Sequence, residues 1–141
     1  NPAPATHLPD ELYKTLFLIT PNESEAEFIT GIKVVGEKDA LKAAEILQSR
    51  GVRNVIITLG RAGAFVSTDE FKGIIPAPEV HAVDTTAAGD TFNGALAVGL
   101  SQKMDIAGAV RFANRAAALS VTRMGAQSSI PTMDEVQKYF H

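Results

Sequence analysis

The sequence contains no cysteine, so the chain can form neither disulfide bonds nor thiolate metal sites, and a reducing cytoplasm suits it. It also lacks any apolar run near the roughly 20 residues that span a bilayer, and any charged-then-apolar signal segment at its start. Lysine and arginine number 13 against 16 acidic residues, and no basic cluster is present. This balance argues against a general nucleic-acid or membrane-surface binder, so we expect a cytoplasmic protein with neither partner.

Two common phosphate-binding motifs are missing as well. The sequence has no Gly-x-x-x-x-Gly-Lys-[Ser/Thr] loop and no Gly-x-Gly-x-x-Gly after a predicted strand, so phosphate binding has to come from another element. His7, His81 and His141 are scattered without ligand spacing, and we interpret all three as surface residues. The chain begins at Asn1 without an initiator methionine, which indicates a fragment or a processed product.

What is present describes one soluble globular domain of the α/β class. Hydrophobic residues make up 45% of the 141 residues and charged residues 21%. Apolar and β-branched runs predict strands at residues 16–19, 55–59, 64–67, 72–76 and 80–83. Helical spacing and end signals predict helices at residues 22–30, 37–50, 106–124 and 133–139, and another beginning near residue 88. Their alternation indicates a sheet that is part parallel, with one antiparallel hairpin around residues 60–63.

The most informative stretch runs from Asp84 to Leu96. The small residues Ala87, Ala88 and Gly89 leave their backbone amides open to a ligand, and apolar residues at helical spacing follow. A helix that begins here points free N–H groups and its positive dipole end at that space, an arrangement that binds phosphate. Asp90 in the first turn could accept a proton there, which suits phosphoryl transfer to a hydroxyl. The alternative is an acidic residue that only complements the helix dipole, and spacing alone does not separate the two.

The motif Asp-Thr-Thr-Ala-Ala-Gly-Asp-Thr-Phe-Asn-Gly-Ala at residues 84–95 resembles the C-terminal signature of the ribokinase-like carbohydrate kinases. Many members of that family carry Gly where this chain has Ala87. The resemblance covers the whole chain but only about the C-terminal half of such a kinase. It therefore implies that residues 1–141 are the nucleotide-binding part, and that the N-terminal sugar-binding part is absent.

The resemblance also implies a fold and a reaction. The fold is a three-layer, doubly wound and mostly parallel α/β sheet with an antiparallel hairpin. The reaction is ATP-dependent phosphorylation of the 5-hydroxyl of D-ribose, in a full-length protein that forms a homodimer. Asp90 would contact the sugar hydroxyl and take its proton, while the amides of Ala87, Ala88 and Gly89 would neutralise charge on the transferred phosphoryl group.

Asn22-x-x-Glu25 has a structural interpretation of its own. Asn is a preferred N-cap, and Glu three residues later completes a capping box. In the family that the chain resembles, the Asn lies near the nucleotide phosphates and the Glu helps to hold Mg²⁺, often through water. One carboxylate is enough because Mg²⁺ keeps several of its waters. Both roles can coexist, since phosphates are met at a helix start.

Two further features have both a structural and a nucleotide-binding interpretation. The segment Thr58-Leu59-Gly60-Arg61-Ala62-Gly63 is a strand end followed by a glycine-flanked turn. The resemblance implies that this turn borders ATP, with Thr58 and Gly60 against the phosphates and sugar and Arg61 facing the polyphosphate. Asn114 lies beside a predicted apolar helix face, where a structural hydrogen bond is the default; the resemblance implies that it faces the adenine.

The resemblance implies a monovalent-cation site as well, for K⁺ as an activator. Most of its ligands would be backbone carbonyls, so only the acidic side chain is informative. The residues that fall on this loop are Asp84, Thr86, Ser120, Arg123, Gly125 and Ser129. Around Arg123 the alternative is an ordinary helix C-terminus, where a basic residue complements the dipole.

Three functions remain open from the sequence. The first is the kinase reaction on D-ribose, with the isolated fragment inactive. The second is a nucleotide-binding module without independent activity, because sugar recognition lies elsewhere. The third is a kinase for another sugar or a nucleoside, since the glycine and asparagine motifs that contact the sugar in the family belong to the other half.

Overall fold

The computed structural model describes residues 1–140 and divides the chain into two compact units, Asn1–Ile75 and Pro76–His141. The division falls directly after a strand, at a place where the sequence carries no linker. Among residues 1–140, no helix is long and apolar enough to cross a membrane. His7 and His81 are exposed, as predicted, whereas His141 lies outside the described residues.

The first unit contains a four-stranded mixed sheet in the order β1-β2-β3-β4. Its strands are β1 (Leu18–Ile19), β2 (Asn54–Thr58), β3 (Ala64–Ser67) and β4 (Lys72–Ile75). Strand β1 pairs with β2 in parallel, whereas β2 with β3 and β3 with β4 are antiparallel. The expectation of a mostly parallel sheet is therefore wrong for the described residues. Connections as short as those on either side of β3 permit only antiparallel neighbours.

Three helices accompany the sheet in the first unit: α1 (Asp10–Tyr13), α2 (Glu23–Thr30) and α3 (Glu37–Ser49). Gly31 ends α2 in the left-handed conformation, with φ of 76°. Helix α3 contacts β2, β3 and β4, and it buries Ala40, Ala44 and Leu47. These side chains join Val55 and Ile57 of β2 in one core. The core thus fixes the carboxyl end of β2, where the predicted nucleotide residues begin.

The second unit is helical: α4 (Ala88–Ser101), α5 (Ile106–Ser120) and α6 (Met133–Tyr139). Helix α5 packs against both α4 and α6. Gly99 permits the close approach of α4 to α5, since a Cβ there would lie 3.0 Å from the Cβ of Ala109. Asp105 caps α5 by accepting a 2.6 Å hydrogen bond from the amide of Gly108.

Two predictions for the second unit are wrong. Residues 80–83 form no strand; the amide of Val83 instead donates to the carbonyl of Val121 at 2.7 Å. Helix α5 ends at Ser120 rather than near residue 124, because the chain then turns through tighter hydrogen bonds, such as Arg123 to Ser120. Local β-branching could not reveal the bond from Val83 to Val121, which lies 38 residues further along the chain.

Candidate active site

The start of α4 is an uncapped helix terminus. Its N-cap is Ala87, which adopts the left-handed conformation with φ of 60° and supplies no side-chain cap. A non-glycine residue is uncommon in that conformation, and such strain tends to occur at functional sites. The amide of Ala88 donates to Thr85, and the amide of Thr91 donates to the carbonyl of Ala87.

Between those bonds lie two open backbone donors. The amides of Gly89 and Asp90 have no acceptor within residues 1–140, and both residues are exposed. A Cβ built on Gly89 would meet no atom within 4 Å, so the space in front of this backbone is open. Free donors at the positive end of a 14-residue helix can bind an anion.

The carboxylate of Asp90 lies beside these donors, in the first turn of α4. It is exposed and accepts no hydrogen bond from the described residues. It therefore does not cap a backbone amide, and a substrate hydroxyl can reach it. The neighbouring Asn93 side chain folds back onto the carbonyl of Gly89 at 2.9 Å. An anion site with a free carboxylate at its edge can bind a phosphate and accept a proton from an attacking hydroxyl.

Asp84 ties the loop before α4 to the turn after α5. One carboxylate oxygen accepts the amide of Thr86 at 2.9 Å, and the other accepts the amide of Gly125 at 2.9 Å. Hydrogen bonding by the Thr86 side chain, and then by the Gly125 and Thr86 amides, lowers the pKa of Asp84 from its ordinary value. The amide of Asp84 itself donates to the carbonyl of Val121 at 3.1 Å. The ionised carboxylate of Asp84 therefore lies between the loop before α4 and the turn after α5.

The other residues predicted for the cation loop lie close to Val121 and Gly125 along the chain. Ser120 and Ser129 are fully buried, and their hydroxyls donate to the carbonyls of Ala117 and Ala126. Arg123 does not merely complement a helix dipole: its guanidinium donates to a carboxylate oxygen of Glu135 at 2.8 Å. Gly125 is left-handed, with φ of 96°. The described residues contain no cluster of three acidic, histidine or cysteine side chains that could hold a metal ion.

In the first unit, Asn22 and Glu25 form the predicted capping box. The amide of Glu25 donates to the Asn22 side chain, and the amide of Asn22 donates to Oε2 of Glu25, each at 2.8 Å. Asn22 also lies next to Thr58 in a parallel bridge, and the amide of Thr58 donates to Pro21 at 3.0 Å. The start of α2 and the end of β2 are thus adjacent. Oε1 of Glu25 is engaged by no described residue, so it can bind a further ligand.

The turn that follows β2 is a single 3₁₀ turn, Gly60–Ala62. Gly60 and Gly63 have φ of 53° and 102°, which favours glycine at both positions. The side chain of Leu59 is buried in the core, so only its backbone could contact a ligand. Arg61 is exposed.

Asn114 is buried on α5, and its side-chain amide donates to the carbonyl of Pro76 at 3.3 Å. The structural hydrogen bond expected for a polar group beside an apolar helix face is therefore present. A contact with adenine stays a prediction.

A profile described as pfkB family carbohydrate kinase matches residues 1–133, nearly the whole chain. The chain belongs to the pfkB family of carbohydrate kinases. Ribokinase of Haemophilus influenzae is 50% identical over 139 residues, which cover 99% of this chain and 45% of that protein. The chain thus spans about 45% of the length of this curated relative.

Two solved structures share this fold. Arabidopsis thaliana ribokinase, complexed with ribose and ATP, has a TM-score of 0.89 and 32% identity, over 95% of this chain and 44% of that one. Phosphofructokinase-2 of Escherichia coli, in complex with potassium, has a TM-score of 0.76 and 28% identity, over 86% of this chain and 39% of that one. The predicted α/β, ribokinase-like fold class is confirmed.

The candidate residues fall into two groups, one in each unit. In the first unit, the structure brings together Asn22, Glu25, Thr58 and the 3₁₀ turn. In the second, Asp84 joins Thr86 to Gly125 just before the start of α4. The side chain of Asn114 donates to the carbonyl of Pro76.

The sequence analysis did not identify Glu135, which makes two contacts next to the cation loop. Thr132 and Glu135 form a second capping box, and Glu135 also pairs with Arg123. The Thr-x-x-Glu spacing at the start of α6 was a sufficient signal for the capping box. It could not reveal the ion pair, which depends on how the loop folds back.

Proposed function

We propose that this chain is the C-terminal, nucleotide-binding part of a ribokinase, which transfers the γ-phosphate of ATP to the 5-hydroxyl of D-ribose. The observation that carries the proposal is the open start of α4, where two free amides lie beside the unpaired carboxylate of Asp90. Support comes from the identity to ribokinase and from a family neighbour complexed with ribose and ATP.

The reaction assigns a role to each part of this helix start. Asp90 takes the proton of the sugar hydroxyl as its oxygen bonds to the γ-phosphorus. The bond from that phosphorus to the β–γ bridging oxygen breaks, and ADP leaves with the bonding electrons. The free amides of Gly89 and Asp90 hold the negative charge of the transferred group, and Ala87 and Ala88, whose own amide donates to Thr85, position them. This stabilisation is the main catalytic contribution that a protein makes to phosphoryl transfer.

The proposal assigns contacts with ATP to two sets of residues. Asn22, Thr58 and the segment from Leu59 to Gly63 would contact the phosphates and sugar of ATP, with exposed Arg61 available to meet the polyphosphate. Gly89 and Asp90 would meet the γ-phosphate, and Asn114 the adenine.

Two cations fit the residues that are present. Glu25 keeps Oε1 available beside a helix start, which suits Mg²⁺ held through one carboxylate and water. Mg²⁺ would neutralise phosphate charge. The ionised Asp84, beside turns rich in carbonyl groups, suits K⁺, which prefers a roomy set of oxygen ligands. Binding of potassium by a family neighbour supports the second assignment.

A second candidate function is a nucleotide-binding module that has no activity by itself, favoured by the 45% coverage of the relative. A kinase for another sugar or a nucleoside is a third, since the family includes a phosphofructokinase. The full-length protein would be a cytoplasmic homodimer.

The test is a product analysis with the full-length kinase that contains this chain. It is incubated with ATP and, separately, with D-ribose, 2-deoxyribose, fructose and a nucleoside, and each product is identified by mass spectrometry and NMR. We expect ribose 5-phosphate to form with the highest kcat/KM. A higher kcat/KM for another compound would make that compound the substrate instead of ribose. ATP binding without any product would favour the nucleotide-binding module.

A further inference from the structure

The segment of residues 121–130 joins α5 to α6 and contains three of the residues assigned to the K⁺ site. Hydrogen bonds to two acidic side chains, one on either side, hold this segment. On one side, Oδ2 of Asp84 accepts the amide of Gly125 at 2.9 Å. On the other, Oε1 of Glu135 in α6 accepts the guanidinium of Arg123 at 2.8 Å. The first tie belongs to the cation site already described, whereas the second comes from a residue with no assigned function.

The side chain of Glu135 is also fixed by contacts within the start of its own helix, independently of Arg123. Its other carboxylate oxygen, Oε2, accepts the amide of Thr132 at 2.7 Å, and its own amide donates to the Thr132 hydroxyl at 3.3 Å. A surface ion pair is usually weak because two long side chains lose their freedom together. In this pair the carboxylate is already ordered by the capping box. Only the arginine side chain therefore loses conformational entropy when the ion pair forms.

We propose that Glu135 is a positioning residue for the monovalent-cation site: by holding Arg123, it presets the segment 121–130 so that its carbonyl groups can bind K⁺. The inference rests on the proposed function, in which K⁺ binds beside Asp84. Without the Glu135 contact, the segment would still be joined to Asp84 at Gly125, but Arg123 would be held only by the bond from its amide to the carbonyl of Ser120 and would be more mobile. Binding K⁺ would then require ordering the segment first, which weakens the affinity.

The substitution Glu135→Gln separates the two contacts of this side chain. Glutamine is also a capping-box residue, so its one carbonyl oxygen can keep the bond to Thr132 while its amide group cannot accept from Arg123. Asp134→Asn is the matched control, because it removes an exposed carboxylate from the same turn of α6 without touching Arg123. Arg123→Gln breaks the same pair from its other end and leaves the capping box intact, which covers poor folding of the Glu135 variant.

Two readouts are measured on the full-length kinase. Hydrogen exchange gives the mobility of amides 121–130. The rise of the thermal midpoint with K⁺, at ionic strength held constant with Na⁺, gives the Kd for K⁺. We expect both the exchange rates and this Kd to rise about two- to five-fold in Glu135→Gln and Arg123→Gln, the range of a surface ion pair. Asp134→Asn should change neither.

The outcomes separate this inference from the function on which it rests. If the wild-type midpoint does not respond to K⁺ more than to Na⁺, the proposed cation site fails, and the inference fails with it. If the wild type responds but Glu135→Gln binds K⁺ as well as the wild type, only the positioning role is overturned. Faster exchange in that case would make Glu135 a purely structural residue.

Discussion

Asp84 and Gly125 are 41 residues apart in the chain, yet the amide of Gly125 donates to Oδ2 of Asp84 at 2.9 Å. The same carboxylate accepts the amide of Thr86, two residues before the left-handed Ala87 that begins α4. An ion bound by this carboxylate would therefore act on the geometry of the helix start. The proposed cation and anion sites are therefore separated by only three residues of backbone.

This link predicts potassium activation. At fixed ionic strength, the kinase rate of the full-length protein should rise with K⁺ and much less with Na⁺, because K⁺ suits a roomy set of oxygen ligands. Asp84→Asn should lower the response to K⁺, since a neutral amide attracts the ion less and can no longer accept both amides as an anion. Steady-state rates in KCl and NaCl measure this. Equal rates in the two salts would count against the site.

Glu25 offers a test that separates capping from magnesium binding. In Glu25→Gln the capping box is retained, because Gln at the third helical position can still accept the amide of Asn22. We expect the thermal midpoint to stay close to that of the wild type while the Mg²⁺ concentration for half-maximal activity rises about ten-fold. Glu23→Gln, an exposed neighbour in the same turn, is the control and should leave both unchanged. An unchanged Mg²⁺ requirement in Glu25→Gln would leave Glu25 with the capping role alone.

The stability of the second unit should depend on the ionisation of Glu135. Hydrogen bonding by the Thr132 amide, and then by Arg123, lowers the pKa of Glu135 from 4.5 to about 2. A depressed folded-state pKa means that this carboxylate stabilises the fold fully above about pH 4.5 and loses that contribution as the pH falls toward 2. Denaturant unfolding of the wild type and of Glu135→Gln, between pH 2 and 6, should give stabilities that converge as the pH falls. A difference that stays constant over this range would contradict the assignment.

Much of the local structure could be predicted from the sequence. Helix α6 and strand β3 have the predicted bounds, and the Asn22–Glu25 capping box formed as its spacing indicates. These features depend on residues close together in the chain. Their signals are strong because a cap or a β-branched run acts within one or two turns.

The rest depends on contacts that no local pattern records. Residues 80–83 have the composition of a strand, but the amide of Val83 bonds to Val121 and no ladder forms. The early end of α5 follows from the same return of the chain toward Asp84. For the candidate site, the sequence motif indicated the start of α4, whereas the Arg123–Glu135 pair became visible only in three dimensions.

The 141-residue chain by itself should bind ATP weakly and show no measurable ribose phosphorylation, because the proposed sugar site lies outside it. Strand β1 pairs only with β2 among the described residues, and Phe17 beside it is exposed. An unpaired strand edge is a template for association, so the isolated chain should self-associate. Calorimetry with ATP, a coupled kinase assay and sedimentation measure the three properties. A monomeric chain that phosphorylates ribose would refute the assignment of the sugar site.

The central claim is that Asp90 accepts the proton of the sugar hydroxyl at the open start of α4. Its most direct test is the turnover of Asp90→Asn in the full-length kinase, measured beside the ATP affinity of the same variant. Asp134→Asn is the control, since Asp134 also lies in the first turn of a helix but has no open anion site beside it. We predict that Asp90→Asn lowers kcat by about 10²-fold or more with nearly unchanged ATP affinity, the usual scale for a lost base. Wild-type turnover in Asp90→Asn would contradict the claim and leave Asp90 as a residue that only complements the helix dipole.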